Sequence, residues 1–242
     1  MPLISDVAHA FAESGVDLAA LGLAWARVTP TIALVPAFGL RAMPTPVRGV
    51  LGAMLAFCIY PAMTPVLHAP GSAQLPWVVL ALGELLHGLP IALAAAVPMW
   101  AATMAGGLAD NLRGATQDQK DVPVVEGKTS TLGIPLSLLA SAIFLFTGGP
   151  SRVVSVLARG DFPAHPLAAM ANDVASGITL ALALSGPLLA ASIVIEVSGA
   201  LIARAAAPAQ ITALLSPLRA FALLAMFGLA FDRLALVLAH SL

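Results

Sequence analysis

An all-α fold of integral-membrane type, with about six long, proline-broken hydrophobic helices, is predicted by three features of this sequence. Of its 242 residues, 60% are hydrophobic and only 10% charged, where soluble domains carry roughly a quarter charged residues. The mean hydropathy is +0.97. Eleven Lys and Arg with 12 Asp and Glu are too few to cover a water-soluble fold of this length. Finally, the charges are bunched so that apolar windows long enough to cross a bilayer lie between them, and an ionised side chain costs about 2.5–3.5 kcal/mol at a bilayer-embedded helix centre.

Taken in order, the first segment runs from Val16 to Phe38, interrupted by Arg27 and Pro30. Asp6, Glu13 and Asp17 precede Arg27, so a basic n-region is missing and the N-terminus is expected to be retained. A second helix is expected over Pro46–Leu67, ended by Pro70 and Gly71. The third window, Glu84 to Asp110, holds no charge, and Trp77 and Trp100 are about 34 Å apart on a helix, suited to an aromatic belt pair. Lys128–Arg152, Asp173–Glu196 and the stretch from Arg204 onward complete six segments within one domain, residues 1–242. The hydrophilic stretch Asp110–Ser130 reads as a loop of mixed charge.

Lys and Arg favour the first, third and fifth loops (Arg41 and Arg48; Arg113, Lys120 and Lys128; Arg204 and Arg219), with at most Arg152 and Arg159 in the second and fourth. The positive-inside rule then puts both termini on the outer side. A net charge of −1 offers no basic surface for nucleic acid. Cys58, alone in an apolar run, reads as a small buried hydrophobe.

Small residues recur every fourth position at Gly88, Ala92 and Ala96, then at Ala102, Gly106, Asp110 and Gly114. Such a ridge lets helix backbones approach closely, although an alanine-rich chain also produces the pattern by chance. Charges at depth are functional candidates by default. Glu84 has His87 one turn away, but the Glu-x-x-His of di-iron bundles needs a second copy, and the sequence has none. The residues do not name a partner for Glu84. Asp110 with Arg113, and Glu196 with Arg204, are spaced to neutralise each other along a helix. H-E-x-x-H, G-x-S-x-G and Walker motifs do not occur, so neither catalysis nor a cofactor or metal is expected. A small-solute transporter using Glu84 or Glu196 is the alternative, although no internal repeat between the halves supports it.

From Glu84 onward the order of motifs resembles a known family. Gly83-Glu84-x-x-x-Gly88, Trp100, Ala105-Gly106, Asp110-x-x-Arg113-Gly114, Asp121-x-Pro123, Thr129-Ser130-Thr131-Leu132-Gly133 and Gly148-Gly149 are similar to the type III secretion export-gate T/R subunits, the group of flagellar FliR and injectisome SctT. Pro187, Glu196, Gly199, Leu201, Ala203-Arg204-Ala205, Pro208 and Ser216-Pro217-Leu218-Arg219 continue the resemblance, which covers about Gly83 to Phe227. Two places depart from the pattern. The Pro-Gln-x-Asn turn is replaced by Pro208-Ala209-Gln210-Ile211-Thr212, and Gly148-Gly149-Pro150 stands in place of the flagellar Gly-His, which favours the injectisome branch.

The resemblance implies a non-enzymatic pore subunit of the bacterial inner membrane. One copy would join several R and S subunits in a conical hetero-oligomer, partly on the periplasmic side, that exports unfolded proteins. The switch subunit and the large export-gate subunit would be further partners, with membrane lipid around the assembly. A plug loop over about residues 106–131 is implied, involving Gly106, Gly107, Asp110, Arg113, Gly114, Val122, Pro123, Val124 and Val125. Subunit packing would fall to Glu84, Gly88, Glu196, Gly199, Arg204, Pro208 and Pro217.

Overall fold

The computed structural model describes residues 13, 15–38, 45–68, 75–112, 120–121, 128–129, 132–160, 162–205 and 212–241. Seven α-helices occur among them: α1 (Leu18–Leu34), α2 (Thr45–Leu67), α3 (Trp77–Leu112), α4 (Gly133–Phe146), α5 (Gly149–Arg159), α6 (Pro166–Ala205) and α7 (Thr212–Ser241). A 3-10 turn, Pro36–Phe38, follows α1. Two short strands, β1 (Lys120–Asp121) and β2 (Lys128–Thr129), pair antiparallel with Lys120 opposite Thr129 and Asp121 opposite Lys128. That ladder lies inside the stretch expected to be loop throughout.

The helix bounds differ from the apolar windows for definable reasons. Asp17 caps α1, its carboxylate accepting the amides of Ala19 (2.8 Å) and Ala20 (3.4 Å), which satisfies donors that the first turn cannot. The fourth window becomes two helices because Gly148, at φ 78°, breaks the ladder in a left-handed conformation open to glycine. α3 and α6 run past the charges that bound their windows, to 36 and 40 residues.

Pro46–Leu67, α3, α6 and Pro217–His240 are long and apolar enough to cross a membrane, and the bent pair α4–α5 makes a fifth candidate if it counts as one span. α1, at 17 residues, is shorter. α3 and α6 extend about 54 and 60 Å at 1.5 Å per residue, against a hydrocarbon core of about 30 Å. In each of the four helices only 22% of the most apolar window is buried within the chain. Phe146, Leu229, Leu167 and Phe221 are among the large side chains left exposed.

The chain divides into two compact units, the first holding residues 1–96 and 148–173, the second 97–147 and 174–242. In the first, α1 packs on α2 and α2 on α5. Its buried side chains recur at helical spacing: Ala20, Leu23, Ala24 and Val28 on α1, Ala56, Ile59 and Met63 on α2, Val153 and Leu157 on α5. In the second, α4 packs on α7, with Leu136, Ala140 and Phe144 buried on α4 and Leu223, Phe227, Leu234 and Leu238 on α7. Cys58 is exposed rather than buried. It shares the outward side of α2 with Met54 and Phe57, while Ala56, Ile59 and Met63 take the inward positions.

Candidate functional site

In the first unit the buried charges form one cluster, and its geometry starts from a glycine. Gly88 is buried on α3 at a point where a Cβ would overlap the carbonyl oxygen of Arg27, so α1 and α3 approach backbone to backbone there. One turn earlier on α3, Glu84 therefore reaches Arg27. Nε and Nη2 of Arg27 both donate to Oε2 of Glu84. The two residues are 3% and 5% exposed. Nη1 of Arg27 donates to the Leu157 carbonyl at 2.9 Å, one of the last-turn carbonyls of α5 that have no partner in their own helix.

Arg27 thus holds three helices at one point. Its guanidinium also lies 4.8 Å from the centre of the Phe162 ring, within reach of a cation–π attraction. His87 stacks on the same ring at 4.5 Å and 12° and approaches Oε1 of Glu84 at 3.8 Å. Glu84 accordingly has a partner inside the chain, Arg27, where the sequence named none. The sequence did contain a signal for Arg27. A buried cation and a buried anion in one chain are each costly alone and implicate each other.

Trp77 also works inside this unit. Its ring covers Gly22, and its Nε1 donates to the Ala19 carbonyl at 3.1 Å.

In the second unit the small ridge of α3 continues. Ala102, Gly106 and Asp110 are buried, and a Cβ on Gly106 would overlap the backbone of Leu132 and Gly133. A Cβ on Gly177 of α6 would likewise overlap the Val97 side chain. The ridge is thus used within the chain. Beside it, Oδ2 of Asp110 accepts the Leu132 amide at 2.6 Å. Trp100 keeps its Nε1 buried with no hydrogen-bond partner among the described residues.

Glu196 pairs with Arg219 of α7, not with Arg204 as its spacing suggested. The same Nη2 of Arg219 donates to the Leu112 carbonyl at 2.8 Å, at the C-terminus of α3. Arg204, on the last turn of α6, is exposed. Glu196 and Arg219 line a cleft of about 530 Å³ with Val194, Gly199, Ile202 and Leu218. Among the described residues Gly199 has no atom within 4 Å of where a Cβ would lie, so its small size serves no contact with them.

Of the other expected site residues, Gly107 is half-buried on α3 and Pro217 lies exposed inside α7. Arg113, Gly114, Val122, Pro123, Val124, Val125 and Pro208 lie outside the described residues, as does any pairing of Asp110 with Arg113. Among the described residues, no three His, Cys, Asp or Glu side chains are grouped to hold a metal ion.

The chain is similar to known proteins. Over 81 residues the chain is 40% identical to the secretion system apparatus protein SsaT of Salmonella typhimurium, covering 34% of this chain and 31% of that protein. Over 178 residues it is 28% identical to the Yop proteins translocation protein T of Yersinia pestis and of Yersinia pseudotuberculosis, covering 68% of this chain and 67% of theirs. Residues 18–242, from the first residue of α1 onward, match the family described as bacterial export proteins, family 1. With a match over that length, the chain belongs to this family, the one the sequence motifs resembled.

Proposed function

We propose that this chain is the T subunit of a type III protein secretion export apparatus of the injectisome branch. In this reading it completes a channel for unfolded proteins in the bacterial inner membrane, and residues 106–131 act as its plug. The family match over residues 18–242 carries the reading, and the names of the relatives are consistent with it. The uncovered helices support assembly. Four helices bury only 22% of their most apolar window within the chain, and two are too long for the bilayer core alone, so neighbouring subunits would cover much of the remainder. The open position at Gly199 suits such a contact.

Glu84 is committed to Arg27, which leaves the transporter alternative without support from that carboxylate. R and S subunits, the switch subunit and the large export-gate subunit are the partners in this reading. Co-expression with R and S subunits should yield one detergent-stable complex, and recovery of this chain only as a monomer or homo-oligomer would refute the assignment. Deleting residues 115–128 should make the assembled gate leak small ions. An unchanged ion leak would remove the plug role.

A further inference from the structure

α5 is bounded at both ends by glycines in the left-handed conformation, Gly148 at φ 78° and Gly160 at φ 70°, which start and stop it at 11 residues. At about 16 Å it is too short to cross a bilayer core. Val153 and Leu157 are buried on one side, and α5 packs on α2. On the other side Ser151, Arg152, Val156 and Arg159 are exposed, and the two arginines stand two turns apart on one face. The hydroxyls of Ser151 and Ser155 donate to the Gly148 and Arg152 carbonyls at 2.7 and 2.8 Å. The end of the helix is satisfied too, with the Gly160 amide on the Val156 carbonyl and Arg27 on the Leu157 carbonyl. Arg152 and Arg159 therefore keep their guanidinium donors outward, and neither pairs with a carboxylate among the described residues.

α2, the helix beneath, turns the stripe Val47, Val50, Met54 and Phe57 outward, a surface suited to hydrocarbon. Arginine is among the costliest side chains to hold against hydrocarbon, so the outer face of α5 belongs where the lipid tails end. We propose that Arg152 and Arg159 form a site for the phosphate groups of anionic phospholipids at the membrane surface. Each guanidinium presents a fork of donors matched to phosphate oxygens, and two cations without a countercharge favour anionic head groups over zwitterionic ones. An interfacial helix normally lays its apolar side into the bilayer. In α5 that side is taken by α2, which leaves the cationic side to meet the head groups. The site requires only that the chain sit in a membrane, and it is independent of the secretion reading.

A fluorophore attached through Val156→Cys, in a Cys58→Ser background, lies between the two arginines. The full chain, alone and co-purified with R and S subunits, is reconstituted in phosphatidylcholine vesicles containing phosphatidylglycerol, with a quenching nitroxide on the head group of one lipid or the other. An arginine near an anionic surface contributes about fivefold, so phosphatidylglycerol should compete for position 156 up to about thirtyfold better than phosphatidylcholine. Arg152→Gln with Arg159→Gln should bring the two lipids to within about twofold. Arg152→Lys with Arg159→Lys should keep most of the preference, and added salt should weaken it. Arg204→Gln, which removes an exposed arginine of α6, should leave it unchanged. Equal quenching by the two lipids in the parent, or an undiminished preference in the double glutamine variant, would overturn the site. Quenching by neither lipid in the complex would mean that a neighbouring subunit covers this face, and would overturn it as well.

Discussion

Replacing Arg27 by methionine is the sharpest test of how the first unit is held together. The substitution keeps the length of the aliphatic stem but removes a cation that is 3% exposed and bonded to Glu84 and to the Leu157 carbonyl. Glu84, 5% exposed, would be left as an uncompensated buried charge. Breaking one side of such a pair costs about 3–5 kcal/mol, a large part of a stability of about 5–15 kcal/mol. At about 2–4 °C per kcal/mol for chains of this size, the midpoint of thermal unfolding in detergent should fall by roughly 6–20 °C. Glu84→Gln keeps an acceptor and should cost about 1–3 kcal/mol. The double variant Arg27→Met with Glu84→Leu removes both charges and should return to within about 2 kcal/mol of the parent, since buried pairs gain little over apolar residues of similar volume. A parent-like midpoint for Arg27→Met, or a double variant worse than both singles, would refute the reasoning.

Three further outcomes follow from the same geometry. Gly88→Val forces a side chain onto the Arg27 backbone and should cost at least about 1–3 kcal/mol, read as a lower thermal midpoint together with loss of the Arg27–Glu84 contact. Asp17→Ala removes the cap of α1 and should cost about 1 kcal/mol, whereas Asp17→Asn should be close to neutral by the same measurement. Gly199→Leu has room among the described residues and should leave the chain's own unfolding unchanged while reducing recovery of the complex with R and S subunits; Gly199→Ala should spare both.

The contrast between Gly88 and Gly199 shows how far pattern reading reached. Both glycines stand out in the sequence, one through four-residue spacing and one through motif resemblance. Spacing along a helix is local geometry, so the ridge of Gly88, Ala92 and Ala96 could be read directly. Which neighbour a ridge meets depends on how helices cross, and crossing is set by side chains far apart in sequence. For the same reason the Glu196–Arg204 spacing was misleading: two turns along one helix is a longer reach than the step across to Arg219 on α7. Cys58 was misjudged because an apolar run does not reveal which of its residues face inward when no membrane helix needs a polar outer face.

By itself the sequence determined the all-helical class, the order of the apolar segments, the special standing of Glu84 and the family, because hydropathy and motif order are properties of the chain written in one dimension. The tertiary structure decided that Arg27 answers Glu84, that Asp110 takes the amide of Leu132 22 positions away, and that the fourth segment breaks at Gly148. Buried charges and uncapped helix ends demand partners wherever they lie. The demand can be read from the residue that makes it, but the partner is supplied only by the fold.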